Sequence, residues 1–168
     1  MQEPPRPAHE GDRLKALRQL LILDTPPEER FDRLTQFAAG EFDMPIVLLS
    51  LIDDDRQWFK ARVGLDVCET GRDISFCGHA ILQDETMVVP DVALDDRFHD
   101  NPLVTGEPHI RFYAGAPLTM PGGHNVGTLC LIDRTPRTLD EVDLAILASL
   151  RDLAVEELVR RASEEGAP

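Results

Sequence analysis

The chain has 168 residues, with 31 acidic against 17 basic side chains and a formal net charge of −14. That length accommodates one domain with its own core, and 42% apolar with 29% charged residues is the composition of a soluble globule. The acidic balance speaks against a surface that grips nucleic acid or anionic lipid, since both need positive potential on a face.

Three cysteines, Cys68, Cys77 and Cys130, cannot all pair within one chain, and no Cys-x-x-Cys spacing occurs. The N-terminus is proline-rich and lacks an apolar signal-peptide core. The longest apolar run, residues 46–52, is interrupted by Ser50 and is too short to span a bilayer. The expectation is a cytoplasmic protein with no membrane segment.

Residues 1–11 read as a flexible tail, 12–162 as the domain and 163–168 as a disordered tail. Asp12 is a candidate N-cap, followed by Leu14, Leu17 and Leu21 at helical spacing. Thr25-Pro26-Pro27-Glu28 predicts the end of that helix and the start of another: Thr25 caps, Pro26 takes the first helical position, and Glu28 completes a capping box. Phe31, Leu34, Phe37 and Ala38 form its apolar stripe, and Gly40 is the expected stop.

Residues 46–53 then read as a central strand and 57–63 as a half-buried one, making a hairpin across Asp53-Asp54-Asp55. Alternation puts Trp58, Lys60 and Arg62 on one face and Phe59, Ala61 and Val63 on the other. Residues 64–110 are irregular, with a short helix at 75–83, a short strand at 86–89 and a helical turn at 95–98. So long an irregular stretch inside a compact domain is usually functional. Regularity returns at 111–118, where Phe112, Ala114, Ala116 and Leu118 share a face. A turn at Pro121-Gly122-Gly123-His124-Asn125 and a strand at 126–133 complete a second hairpin. Thr138-Leu139-Asp140-Glu141 reads as a capping box opening a long helix, whose apolar stripe is wider than one core face needs. Two hairpins require antiparallel pairing, so the fold class is α+β.

Six strings now carry a family resemblance: Ser75-Phe76-Cys77-Gly78-His79-Ala80-Ile81, Val89-Pro90-Asp91, Asp96-Arg97-Phe98, Asn101-Pro102-Leu103-Val104, Ile110-Arg111-Phe112-Tyr113-Ala114-Gly115-Ala116-Pro117-Leu118 and Val126-Gly127-Thr128-Leu129-Cys130-Leu131-Ile132-Asp133. In this order, over about residues 12–160, the sequence resembles a bacterial signalling-type GAF domain. The resemblance implies a GAF (PAS-like) fold: a central antiparallel sheet of five or six strands, terminal helices on one face and an irregular ligand-covering segment on the other. It further implies a non-enzymatic sensory or regulatory module that binds a small molecule and signals through a helical homodimer. The output would be a histidine kinase or diguanylate cyclase type of domain, here separate or missing because the chain stops just after its last helix.

The expected ligand-binding residues are Cys77, His79, Asp91, Phe98, Arg111 and Tyr113, with no catalytic set, no metal site and no assigned cofactor. Cys77 and His79 stand at the start of a short helix, where a thiol can be activated; they can equally be a small buried thiol beside a hydrogen-bonded imidazole. Arg111 and Tyr113 lie opposite Phe112 and Ala114, so if Phe112 faces the helical core, Arg111 faces the pocket and suits an anionic ligand. The other reading of Arg111 is a structural ion pair. Asp91, Asp95, Asp96, His99 and Asp100 match no metal-loop spacing and read as a solvated loop, with Arg97 paired to a neighbour.

Two alternatives remain. Free methionine-R-sulfoxide reductases are stand-alone GAF proteins with three cysteines, and Cys68 and Cys77-Gly78 echo two of them. Their cysteine between the third and fourth strands has no counterpart at residues 92–110, and Cys130 sits within a strand. Bilin or haem sensors are the other alternative, but bilin attachment typically uses a cysteine followed directly by histidine, and Gly78 intervenes here.

Overall fold

The computed structural model describes residues 1–166. Helix α1 spans Glu10–Gln19. It begins before Asp12, and the Glu10 carboxylate turns back to Arg13 at 2.8 Å and across to Arg72 at 2.5 Å. Leu14, Leu17 and Leu20 point inward, whereas Leu21 is half exposed and has left the helix with φ of 53°.

Helix α2 spans Glu29–Phe42, starting three residues after the predicted Pro26. Neither predicted capping side chain caps it. Thr25 Oγ1 donates to Ile22 O at 2.5 Å, and the Glu28 carboxylate is engaged by Lys60 and Arg161. Helix α2 also runs past Gly40 and ends on Asp43 in the left-handed region, φ 49°. Phe31 and Ala38 are fully buried, but Phe37 faces solvent.

Strands β1 (Ile46–Ile52) and β2 (Arg56–Val63) form the predicted hairpin, with one irregularity. Leu49 pairs with Ala61 and Ser50 with Phe59, so Lys60 is the extra residue of a β-bulge. The bulge breaks the expected alternation. Trp58, Ala61 and Val63 join the helix-side core, and Phe59 turns to the opposite face.

A short edge strand, β3 (Glu69–Gly71), leads through a 3-10 turn at Arg72–Ile74 into α3 (Phe76–Ala80). The Ser75 hydroxyl caps α3 by accepting from Gly78 N at 2.9 Å. Strand β4 (Met87–Val89), a second 3-10 turn at Val92–Leu94 and α4 (Pro102–Thr105) complete the middle segment. Asn101 caps α4, its side-chain oxygen accepting from Leu103 N at 2.8 Å. Strands β5 (Phe112–Thr119) and β6 (Asn125–Asp133) make the second hairpin. Helix α5 (Glu141–Glu164) closes the fold. Its capping box is Asp140 with Asp143, not Thr138 with Glu141.

The six strands form one antiparallel sheet in the order β3-β2-β1-β6-β5-β4. In β1, Val47, Leu49 and Leu51 face the helices, while Ile46, Leu48 and Ile52 face the middle segment. Both faces of the strand are covered, which is why it reads as a continuous apolar run. On the helix side, α1, α2 and α5 bury a core that includes Phe31, Phe112 and Leu147, each worth about 2 kcal/mol or more for full burial.

The tails differ from expectation. Residues 1–9, expected as a flexible tail, lie against the middle segment and the β1–β2 turn: Gln2 N donates to Arg97 O at 3.1 Å, and Arg6 pairs with Asp54 at 2.8 Å. At the other end α5 continues to Glu164, so the predicted tail at 163–168 is helical where it begins; residues 167–168 lie outside the described residues. Among the described residues, no helix is long and apolar enough to cross a membrane.

Candidate functional site

Between the sheet and the middle segment lies a cavity of about 350 Å³. Its sheet wall is Leu48 of β1, Phe59 of β2, Tyr113 of β5 and Ile132 of β6. Phe76 and Cys77 of α3 supply the inner wall, and Leu103, Pro108 and Ile110 the outer one. At the exposed rim stand Asp66, Val67, Glu69, Glu107 and Arg134. The interior is therefore mainly apolar, with Gln57 its buried amide, and the rim carries three carboxylates to one guanidinium, the usual make-up of a small-molecule site with a polar mouth.

Of the six predicted site residues, Cys77 and Tyr113 line this cavity. Phe98 stands behind it, stacked on Phe76 at 4.2 Å between ring centroids. His79 points away, its Nε2 within 3.0 Å of Gln2 O and its ring edge-on to Phe98. Burial lowers the His79 pKa, outweighing the hydrogen bond to Gln2. Asp91 serves as an N-cap, Oδ1 accepting from Ala93 N at 3.1 Å. Arg111 is turned into the backbone, donating to Val104 O at 3.0 Å and Ile110 O at 2.9 Å. It does not line the cavity, so the basis for expecting an anionic ligand is gone. It is not the alternative ion pair either, because its acceptors are carbonyls. The predicted partner of Arg97 is Asp95, at 2.9 Å.

Sequence reading missed the apolar walls, Phe59 and Phe76 among them, and the rim. Phe59 faces the cavity from the side opposite Trp58, as alternation has it, and the bulge at Lys60, for which the sequence gives no sign, carries Ala61 and Val63 to the helix side instead. Asp66 and Glu69 share one segment, but Glu107 and Arg134 lie far from it in the chain and meet it only through folding. None belongs to a recognisable motif.

Cys77 lies at the centre of a buried polar cluster. Tyr113 Oη and Thr128 Oγ1 each donate to its sulfur at 3.1 Å. Ser50 Oγ lies 3.0 Å from Thr128 Oγ1, so Ser50 donating to Thr128 leaves the Thr128 proton for the sulfur. The Cys130 sulfur lies 3.8 Å from that of Cys77. Burial alone would raise the Cys77 pKa, but the surrounding donors outweigh it and bring the thiol to about 7. Burial and the adjacent Cys77 push the Cys130 thiol up. Cys68 is exposed and is not among the cavity-lining residues. The sulfur beside that of Cys77 is that of Cys130.

Comparison with known proteins gives a consistent picture. The family model described as GAF domain matches residues 26–158. A cyclic di-GMP phosphodiesterase of Pseudomonas aeruginosa is 48% identical over 148 residues, which is 88% of this chain. The chain spans 25% of the length of that curated relative. Among solved structures, the GAF domain of a phosphoenolpyruvate-protein phosphotransferase from Coxiella burnetii superposes with a TM-score of 0.66 at 19% identity, covering 96% of this chain and all of that one. Free methionine-R-sulfoxide reductase from Neisseria meningitidis gives 0.63 at 18% identity, covering 98% and 99% of the two chains. At such identities these two likenesses speak to the fold alone.

Proposed function

The chain belongs to the GAF domain family, and from that premise we propose that it is a non-enzymatic sensory module whose cavity binds a small molecule. The observation that carries the proposal is the 350 Å³ cavity, with an apolar interior and an acidic rim. Three rim carboxylates against Arg134 alone favour a neutral or cationic ligand with an apolar body over a phosphate-bearing one. A bound molecule would touch Phe59 and Phe76 together, and so join the sheet to the middle segment and bias the loop positions. The likeness to a quarter of a cyclic di-GMP phosphodiesterase supports a regulatory part alongside an output activity of that general kind, with the terminal helices pairing two copies.

The test is a thermal-shift and titration-calorimetry screen. Uncharged and cationic aromatic compounds are set against nucleoside phosphates, on the parent protein and on Leu65→Trp, which enlarges a side chain lining the cavity. The expected result is a saturable shift with the first class that the variant abolishes. Shifts with nucleoside phosphates alone, or shifts that survive Leu65→Trp, would overturn the assignment of this cavity and its ligand class.

A further inference from the structure

We propose that Cys77 and Cys130 form a peroxide-reactive dithiol, in which a small hydroperoxide reaching Cys77 through the cavity leaves the two cysteines joined as a disulfide. The inference is independent of which molecule the cavity binds as its ligand.

Four observations support it. Cys77 lines the cavity, although its own exposure is 2%, so the cavity is the route to its sulfur. Tyr113 and Thr128 aim two hydroxyl protons at that sulfur from 3.1 Å, an arrangement that favours a thiolate. The low Cys77 pKa agrees with this geometry. Cys130, fully buried on β6, is in van der Waals contact at 3.8 Å, so the two sulfurs need approach by less than about 2 Å to reach a bond of about 2.05 Å.

The chemistry balances as follows. The Cys77 thiolate attacks the distal oxygen of the hydroperoxide; the O–O bond breaks, and the alcohol leaves after taking a proton. Cys77 is now a sulfenic acid. The Cys130 sulfur attacks the Cys77 sulfur, the S–O bond breaks, and the departing hydroxide takes the Cys130 proton and leaves as water. Two thiols are oxidised and one hydroperoxide is reduced to alcohol and water. The cross-link ties α3 to β6, fixing the inner wall of the cavity to the sheet.

The experiment uses the intact chain and hydrogen peroxide. After brief treatment the expected product is about 2 Da lighter, yields one linked peptide pair containing Cys77 and Cys130 on proteolysis, and returns to the starting mass with dithiothreitol. Cys68, which is exposed, is identified separately by its own peptide. In Cys130→Ser, dimedone should trap a sulfenic acid on Cys77. If peroxide modifies Cys68 while Cys77 and Cys130 both stay reduced, or if Cys77 is carried on to the sulfinic acid with Cys130 still free, the dithiol is refuted. The wild-type map alone decides between these outcomes should the variant fail to fold.

Discussion

Lys60 and Arg161 approach the same oxygen, Glu28 Oε2, at 2.6 and 2.5 Å. Lys60 is the bulged residue of β2, Glu28 precedes α2, and Arg161 lies in the last turns of α5. The Lys60 side chain is fully buried, and its other acceptors are Thr25 Oγ1 at 2.8 Å and Pro26 O at 2.6 Å. Phe59 beside it lines the cavity, so one carboxylate joins the cavity wall to the closing helix.

Removal of that carboxylate leaves two buried cations facing each other. Glu28→Ala should therefore lower the unfolding free energy by about 2–3 kcal/mol, less than a fully buried pair because Glu28 keeps partial contact with water. Lys60→Met, which removes the charge and keeps the apolar stem, should cost about 1 kcal/mol or less. Urea midpoints of the two variants check the ordering. Equal losses would mean that the carboxylate is not what holds Lys60.

Acid should act through Glu10. Burial raises its pKa, but hydrogen bonds from Arg13 and Arg72 more than offset this and hold the carboxyl at about 2 against an ordinary 4.5. A depressed carboxylate stabilises the fold above its unfolded value and loses that contribution as pH falls through the folded one. Relative to Glu10→Gln, the parent should be more stable by about 1–2 kcal/mol at neutral pH, allowing for solvent screening. The advantage should shrink below pH 4.5 and vanish near pH 2. A pH series of thermal unfolding curves for the two proteins reads this directly.

Gly115 leaves room for one thing. A Cβ there would collide with the Tyr113 hydroxyl, the group that donates to Cys77. Gly115→Ala should cost about 2 kcal/mol through strain in a filled core and displace the tyrosine ring. Tyr113 is the chain's single tyrosine, so second-derivative absorbance reports its surroundings without ambiguity.

Tyr113→Phe makes a milder change at the same place. One of the donors holding the Cys77 thiol near 7 is lost. The pH midpoint for iodoacetamide alkylation of Cys77, followed by peptide mass, should move up toward the ordinary thiol value of 9.0. An unchanged midpoint would assign the activation to Cys130, Ser50 and Thr128 instead.

Arg111→Met tests the residue that the sequence offers as an anion site. Its guanidinium ties α4 to the start of β5 through Val104 O and Ile110 O. Loss of these bonds should cost about 1–2 kcal/mol in stability. Ligand affinity in the cavity, measured by calorimetry, should stay within about twofold, a difference under 0.5 kcal/mol.

The sequence by itself determined the order of elements, the two hairpins and the α+β class. Apolar periodicity and turn residues are local signals, and in β1, β5 and α5 they agree with the tertiary packing. The six ordered strings around Cys77 and Tyr113 likewise pointed to the family and to the segment that covers the cavity. Only the tertiary structure decided where α2 starts, because Glu28 is claimed by Lys60 and Arg161 from elsewhere in the chain. It alone set Ala61 and Val63 on the same side as Trp58, since a bulge is a property of two paired strands and not of one. It withdrew Arg111 into backbone carbonyls and set Cys130 against Cys77, 53 residues apart. The physical reason is common to all of these: hydrogen-bond and ion-pair partners are chosen by distance in space, and distance in space is fixed only once the sheet has formed.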